Sequence, residues 1–139
     1  MPRFGVLLVT MLAAALALSC ASGRAPATTS AMAMQDLAFA PNTLSFAKDQ
    51  PARITFKNTA AQTHDFTVER MPVASVRTQG GATAGHDMAK MDAPALHLAL
   101  DGGKSGQIDF KPTTAGDYEF YCMVAGHREG GMRGTIHVQ

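Results

Sequence analysis

Apolar side chains fall on every second residue in a series of short runs, and that spacing leaves few folds open to the chain. In RITFKN, Ile54, Phe56 and Asn58 share one parity; in HDFTVE, His64, Phe66 and Val68 do. Leu96, Leu98 and Leu100 follow in ALHLAL, Ile108 and Phe110 in QIDF, and Tyr118, Phe120 and Cys122 in DYEFYC. The last run, MRGTIHV, gives Met132, Ile136 and Val138. Successive side chains of a strand point to opposite faces, so each run describes a strand with one face turned inward. Pro41-Asn42, Asp49-Gln50-Pro51, Asp101-Gly102-Gly103 and Thr114-Ala115-Gly116 separate the runs with turn chemistry. About seven or eight short strands, with no sustained helical period, predict an all-β sandwich or barrel. Residues 71–94, MPVASVRTQGGATAGHDMAKMDAP, break the pattern. They read as a long irregular insertion, mobile and dispensable for the core.

The first residues are unlike the rest. MPRFGVLLVTMLAAALALSC offers Arg3, an apolar run from Gly5 to Leu18, then small residues. That run is shorter than the ~20 residues a membrane-spanning helix needs, so residues 1–19 read as an export signal. Its ALSC ending resembles a bacterial lipobox, which would make Cys20 a lipidated first residue; ordinary cleavage nearby is the alternative. Residues 20–33 are small, polar and proline-containing, and read as a flexible tether. Residues 34–139 then form a single domain. The expected location is the periplasm or the outer face of a bacterial membrane, with a lipid anchor at Cys20 as the membrane attachment.

Charge excludes some functions. Twelve Lys and Arg against eleven Asp and Glu leave the chain nearly neutral, and no basic stripe suggests nucleic acid. Cysteine says more. An exported domain of this size can use disulfides, yet Cys122 is the only cysteine within the folded region. A reason to keep it reduced is required.

FYCMVAGHREGGM, residues 120–132, supplies one, placing Cys122, His127 and Met132 five positions apart among glycines. Five residues advance a helix by about 500° and reverse the face of a strand, so neither element would aim all three at one spot. A loop can, and Gly126, Gly130 and Gly131 give it the freedom. Parity sorts the histidines: His64 points inward, whereas His97 and His137 alternate against apolar residues and should face solvent. With His64 on a neighbouring strand, the set becomes two imidazoles, a thiolate and a thioether. A trigonal His₂Cys arrangement with a weak axial Met describes an electron-transfer copper centre. Zinc has little use for methionine, and its structural sites usually carry more cysteines.

The pattern Tyr-Cys-x-x-x-Gly-His-x-x-x-Gly-Met, preceded by AGDYEF and followed by RGTIHV, resembles the cupredoxins, the blue copper proteins. FKNTAAQTHDF and LAFAPNTLSF, residues 37–46, are similar to other parts of that family. The ligand spacing is similar to that of rusticyanin and sulfocyanin, and the insertion at 71–94 is the departure. The resemblance implies a Greek-key sandwich holding one type 1 copper through His64, Cys122 and His127, with Met132 axial. It also implies that the main chain of Asp65 donates to the Cys122 sulfur.

The expected function is one-electron transfer between redox proteins such as cytochromes or copper oxidases and reductases, by a monomer that is not itself an enzyme. No second histidine cluster supplies further coppers, and no haem or phosphate-loop motif is present. The alternative is a periplasmic copper chaperone or homeostasis protein. Its support is HDMAKM, where His86, Met88 and Met91 form a possible secondary copper site, alongside Met71.

Overall fold

The computed structural model describes Met1, residues 27–81 and residues 93–139. Ten strands run through it: β1 (Thr28–Gln35), β2 (Ala38–Ala40), β3 (Thr43–Phe46), β4 (Ala52–Asn58), β5 (His64–Val68), β6 (Val73–Gln79), β7 (Leu96–Leu100), β8 (Ser105–Pro112), β9 (Gly116–Tyr121) and β10 (Arg133–Val138). They form two five-stranded sheets, in the orders β2-β1-β4-β8-β6 and β3-β10-β9-β5-β7. Two pairings are parallel, β1 with β4 and β3 with β10; the others are antiparallel. Among the described residues no helix is long and apolar enough to cross a membrane.

The alternating residues fill the space between the sheets as their period requires. Ile54, Phe56, Ile108 and Phe110 come from one sheet; Phe66, Leu98, Phe120 and Ile136 come from the other. Phe66 is the hub. Its ring lies 4.9 Å from Phe56, 4.9 Å from Phe120 and 6.0 Å from Phe39. Such ring pairs add to the burial free energy, so this end of the sandwich is held stiffly beside His64.

The structure corrects five expectations. Residues 28–33, read as tether, belong to β1, which pairs with β4 from Thr28 opposite Ala52 to Met34 opposite Asn58. Their small polar side chains hide a strand whose backbone ladder does the holding, with only Met32 and Met34 buried in the core. Residues 71–94 are not wholly irregular, because Val73–Gln79 is β6, paired with β8. A bulge between Ala74 and Arg77, with Ser75 at φ 56°, breaks the period of two that would have marked this strand. Met71 is a buried core residue rather than part of a copper-handling segment. The segment as a whole is therefore not dispensable, since deleting it strips an edge strand and a core side chain. The strand count rises to ten by β1, by β6 and by the separation of β2 from β3.

Candidate metal centre

His64 stands at the mouth of the sandwich because Asn58 shapes the chain that leads to it. Asn58 is fully buried, and its Nδ2 donates to the carbonyls of Gln62 and Leu100, both at 2.8 Å. Its Oδ1 accepts from the Ala60 amide at 3.0 Å. One amide side chain thus satisfies three main-chain groups, and β5 begins at a defined point.

Cys122 follows the last residue of β9 and Met132 precedes β10. The Cys122 amide donates to the Met132 carbonyl at 3.0 Å, the Met132 amide to the His127 carbonyl at 2.9 Å, and the His127 amide to the Val124 carbonyl at 2.9 Å. The loop folds back on itself through these bonds. Gly126 at φ 83° and Gly131 at φ 105° supply the left-handed backbone it needs.

This geometry brings three ligand atoms together. The Nδ1 atoms of His64 and His127 lie 3.2 Å apart. The Cys122 sulfur is 3.9 Å from His64 Nδ1 and 3.6 Å from His127 Nδ1. His64 and Cys122 are fully buried, and His127 is 9% exposed. A metal bonded in a plane to two imidazoles at about 2.0 Å and a thiolate at about 2.3 Å separates the nitrogens by about 3.5 Å and nitrogen from sulfur by about 3.7 Å. The two nitrogen–sulfur separations bracket that value, and the nitrogens lie slightly closer together than theirs. The donors therefore fit a trigonal metal site, and Met132, fully buried, closes the same loop.

Burial also sets the protonation states. It lowers the pKa of His64, with repulsion from His127 adding to the effect, so the imidazole is kept in its neutral, metal-binding form. Burial pushes the Cys122 thiol up to about 11. A cation among these ligands would reverse that, because a coordinating thiol is deprotonated.

The Asp65 amide donates to the Cys122 sulfur at 3.5 Å, as the resemblance implies. The Asp65 carboxylate went unnoticed in the sequence. Its Oδ1 accepts from the Met123 amide at 2.9 Å and from the Thr67 hydroxyl at 3.0 Å. Period two puts Asp65 and Thr67 on the outward parity of β5, but every residue of this strand is buried. The signal available was a carboxylate next to an inward histidine. His97, expected at the surface, is half-buried and shares a 2.9 Å bond with Thr67 Oγ1. His137 is half-buried, its side chain 45% exposed on the outward face as expected, and it pairs with Asp117.

Around the loop, Arg128 stacks 3.9 Å over the Tyr121 ring and pairs with Glu119 at 2.5 Å. The Tyr121 hydroxyl donates to Glu69. The Arg128 contacts tie the ligand loop to β9, and the Tyr121–Glu69 bond ties β9 to the end of β5. His86, Met88, Met91 and Cys20 lie outside the described residues.

A two-sheet sandwich with a buried His-Cys-His cluster closed by methionine defines a cupredoxin. Residues 27–139 match the copper binding proteins of the plastocyanin/azurin family, and the chain belongs to that family. Copper is its cofactor. Copper-resistant cuproprotein CopI of Rubrivivax gelatinosus is 31% identical over 101 residues, which span 73% of this chain and 59% of that protein. Among solved structures, an auracyanin from Roseiflexus castenholzii superposes with a TM-score of 0.63 at 24% identity, covering 81% of this chain and 98% of its own. Auracyanin A of Chloroflexus aurantiacus, a blue copper protein, gives 0.62 at 22% identity, covering 82% and 100%. At these identities the auracyanins show the shared fold.

Proposed function

We propose that this chain is an exported type 1 copper protein that carries one electron at a time between redox partners and performs no catalysis of its own. The supporting observation is the convergence of His64, Cys122 and His127 at trigonal separations inside a packed sandwich. His64, Cys122 and His127 would hold the metal, and Met132 would serve as the weak axial ligand. Copper in this site supplies reversible one-electron chemistry between Cu(II) and Cu(I). The protein's own part is to keep the ligands still. Hydrogen bonds within the 122–132 loop, the Asn58 brace and the Phe66 cluster leave the imidazoles and sulfur little freedom to rearrange between oxidation states. His127, 9% exposed and preceded in the chain by exposed Ala125 and Gly126, would offer the electron its exit. The partners would be redox proteins such as cytochromes or copper oxidases and reductases. Export, anchoring through Cys20 and a monomeric state belong to the same reading.

A second reading has its own support: the named relative from Rubrivivax gelatinosus is a copper-resistant cuproprotein. Copper handling in a homeostatic role would use the same centre, with His86, Met88 and Met91 as a further binding segment. The visible spectrum with Cu(II), followed by reduction and reoxidation, tests both. An intense absorption toward the red from sulfur-to-copper charge transfer, with reversible bleaching, is expected of the carrier. A colourless copper complex would sink the carrier reading and leave copper handling in front.

A further inference from the structure

The two sheets differ in the charge they turn outward. The five strands of the first sheet contain Arg53, Lys57, Arg77 and Lys111 and one acid, Asp109. Strand parity sends all five to the face away from the core: Ile54, Phe56, Ile108 and Phe110 between them point inward, and Arg77 stands opposite Asp109 in the β6–β8 register. Four basic side chains against one carboxylate leave three positive charges on this face, in a chain whose twelve Lys and Arg nearly balance eleven Asp and Glu. Arg53 alone of the four pairs with a carboxylate among the described residues. Lys57 donates to the Gly103 carbonyl at 2.6 Å and keeps its charge. On the second sheet the outward acids Asp117 and Glu119 pair with His137 and Arg128.

A groove and a chain entry coincide on the basic face. Where β6 bulges between Ala74 and Arg77, a groove of about 840 Å³ lies beside it, and its lining includes Ala27, Arg53, Ser75, Arg77, Asp109 and Lys111. Ala27 is also where the preceding chain reaches the fold, and Cys20 is seven residues before it. Seven residues span at most about 25 Å, so a lipid on Cys20 would keep the bilayer surface within that distance of the groove. The copper end lies elsewhere. Thr28 pairs with Ala52 at the start of β4, whereas Asn58 at its end braces Leu100, the partner of His64. The length of β4, about 20 Å, separates the chain entry from the copper end.

We propose that the basic outer face of the first sheet docks on anionic phospholipid headgroups, with the groove at Arg53, Arg77 and Lys111 receiving headgroup phosphate. This rests on the reading that the chain is exported and anchored through Cys20. A lipid on Cys20 limits distance alone; the charged face selects the side that meets the bilayer. The 122–132 loop joins β9 to β10 in the other sheet, so the copper mouth stays open to redox partners while the first sheet is covered. Contacts of this kind act within a Debye length of the surface and weaken with salt.

Sedimentation with vesicles tests the face separately from the anchor, using the copper-loaded mature chain with Cys20→Ser, which carries no lipid. Phosphatidylcholine vesicles are compared with and without phosphatidylglycerol. Binding should require phosphatidylglycerol and fall as salt is raised. Lys111→Gln should weaken it about five-fold, the effect of one basic side chain at an anionic surface, and Arg77→Glu by more. Arg133→Glu makes the same change in net charge on the outer face of the second sheet. It should stay within about two-fold of the parent at 0.1 M salt, where screening acts over about 10 Å. A parental copper band in each variant shows that the fold is intact, and Lys111→Gln decides should Arg77→Glu not fold. Equal binding without phosphatidylglycerol would overturn the proposal, as would equal losses in Arg77→Glu and Arg133→Glu. A parent that ignores both kinds of vesicle would overturn it too, and its retention by immobilised polyglutamate would then point to an acidic protein partner. A Cys20 peptide from cells with no acyl mass counts against the anchor, whereas the vesicle measurements judge the face.

Discussion

Asp65 and Asp109 occupy matching places and behave differently. Each sits on a strand one in from the edge of its sheet, β5 beside β7 and β8 beside β6. Asp109 accepts from Arg53 at 2.6 and 3.2 Å and from Gln107 at 3.2 Å. Its partner's side chain is 41% exposed and its own 22%, so solvent screens the pair. Asp65 has no exposure and accepts instead from a main-chain amide and a hydroxyl beside the Cys122 sulfur. Water cannot replace those bonds if they are lost. The same residue type on equivalent strands is a surface ion pair in one sheet and a structural brace in the other. What covers the outer face makes the difference.

Substitutions can break that contrast or sharpen it. The largest effect belongs to the sulfur that Asp65 addresses. Cys122→Ala should abolish the intense visible absorption with Cu(II) altogether, because sulfur-to-copper charge transfer needs the thiolate; a retained band would mean another ligand carries the site. Next come the two carboxylates themselves. In metal-free protein, Asp65→Ala should lower the unfolding free energy by about 1–3 kcal/mol for each donor left buried without an acceptor. Asp109→Ala should lower it by only about 0.2–1 kcal/mol. Denaturant unfolding of both variants checks the ratio, and equal losses would erase the distinction between the faces.

Met132→Leu should be milder in stability, since the volumes are similar. Removing a weak axial donor that favours Cu(II) should raise the reduction potential, by about 59 mV for each 1.4 kcal/mol of lost preference. Redox titration reads this directly, and an unchanged or lower potential would make Met132 a core residue only. The smallest effect is in pH. Arg53 holds the Asp109 carboxyl below its usual pKa, so the pair stabilises the fold above about pH 4 and loses that contribution as the pH falls through the native value. Asp109→Asn should therefore lower stability slightly at neutral pH and by progressively less as the pH falls through the native pKa, as measured by thermal unfolding across the acid range.

How far the sequence carried can be judged from particular residues. Phe66, Leu98, Phe120 and Ile136 declared themselves by parity, because an inward strand face must be apolar and alternation is local. Cys122, His127 and Met132 were legible because one short loop contains all three. β6 was not legible, since its bulge disturbs the alternation and most of its residues are exposed. The first residues of β1 were hidden for a related reason: Thr28, Thr29 and Ser30 are held by backbone pairing with β4, which needs no particular side chain.

The sequence by itself determined the sandwich class, the inward histidine and the set of ligand types, because strand parity and loop spacing act over a few residues. Only the tertiary structure decided that His64 meets a loop 58 residues further along at 3.9 Å from its sulfur. It alone decided that outward-parity Asp65, Thr67 and His97 are covered and linked. Such contacts depend on which strands become neighbours and on what packs over them. That choice is made by the whole core at once, and no short stretch of residues records it.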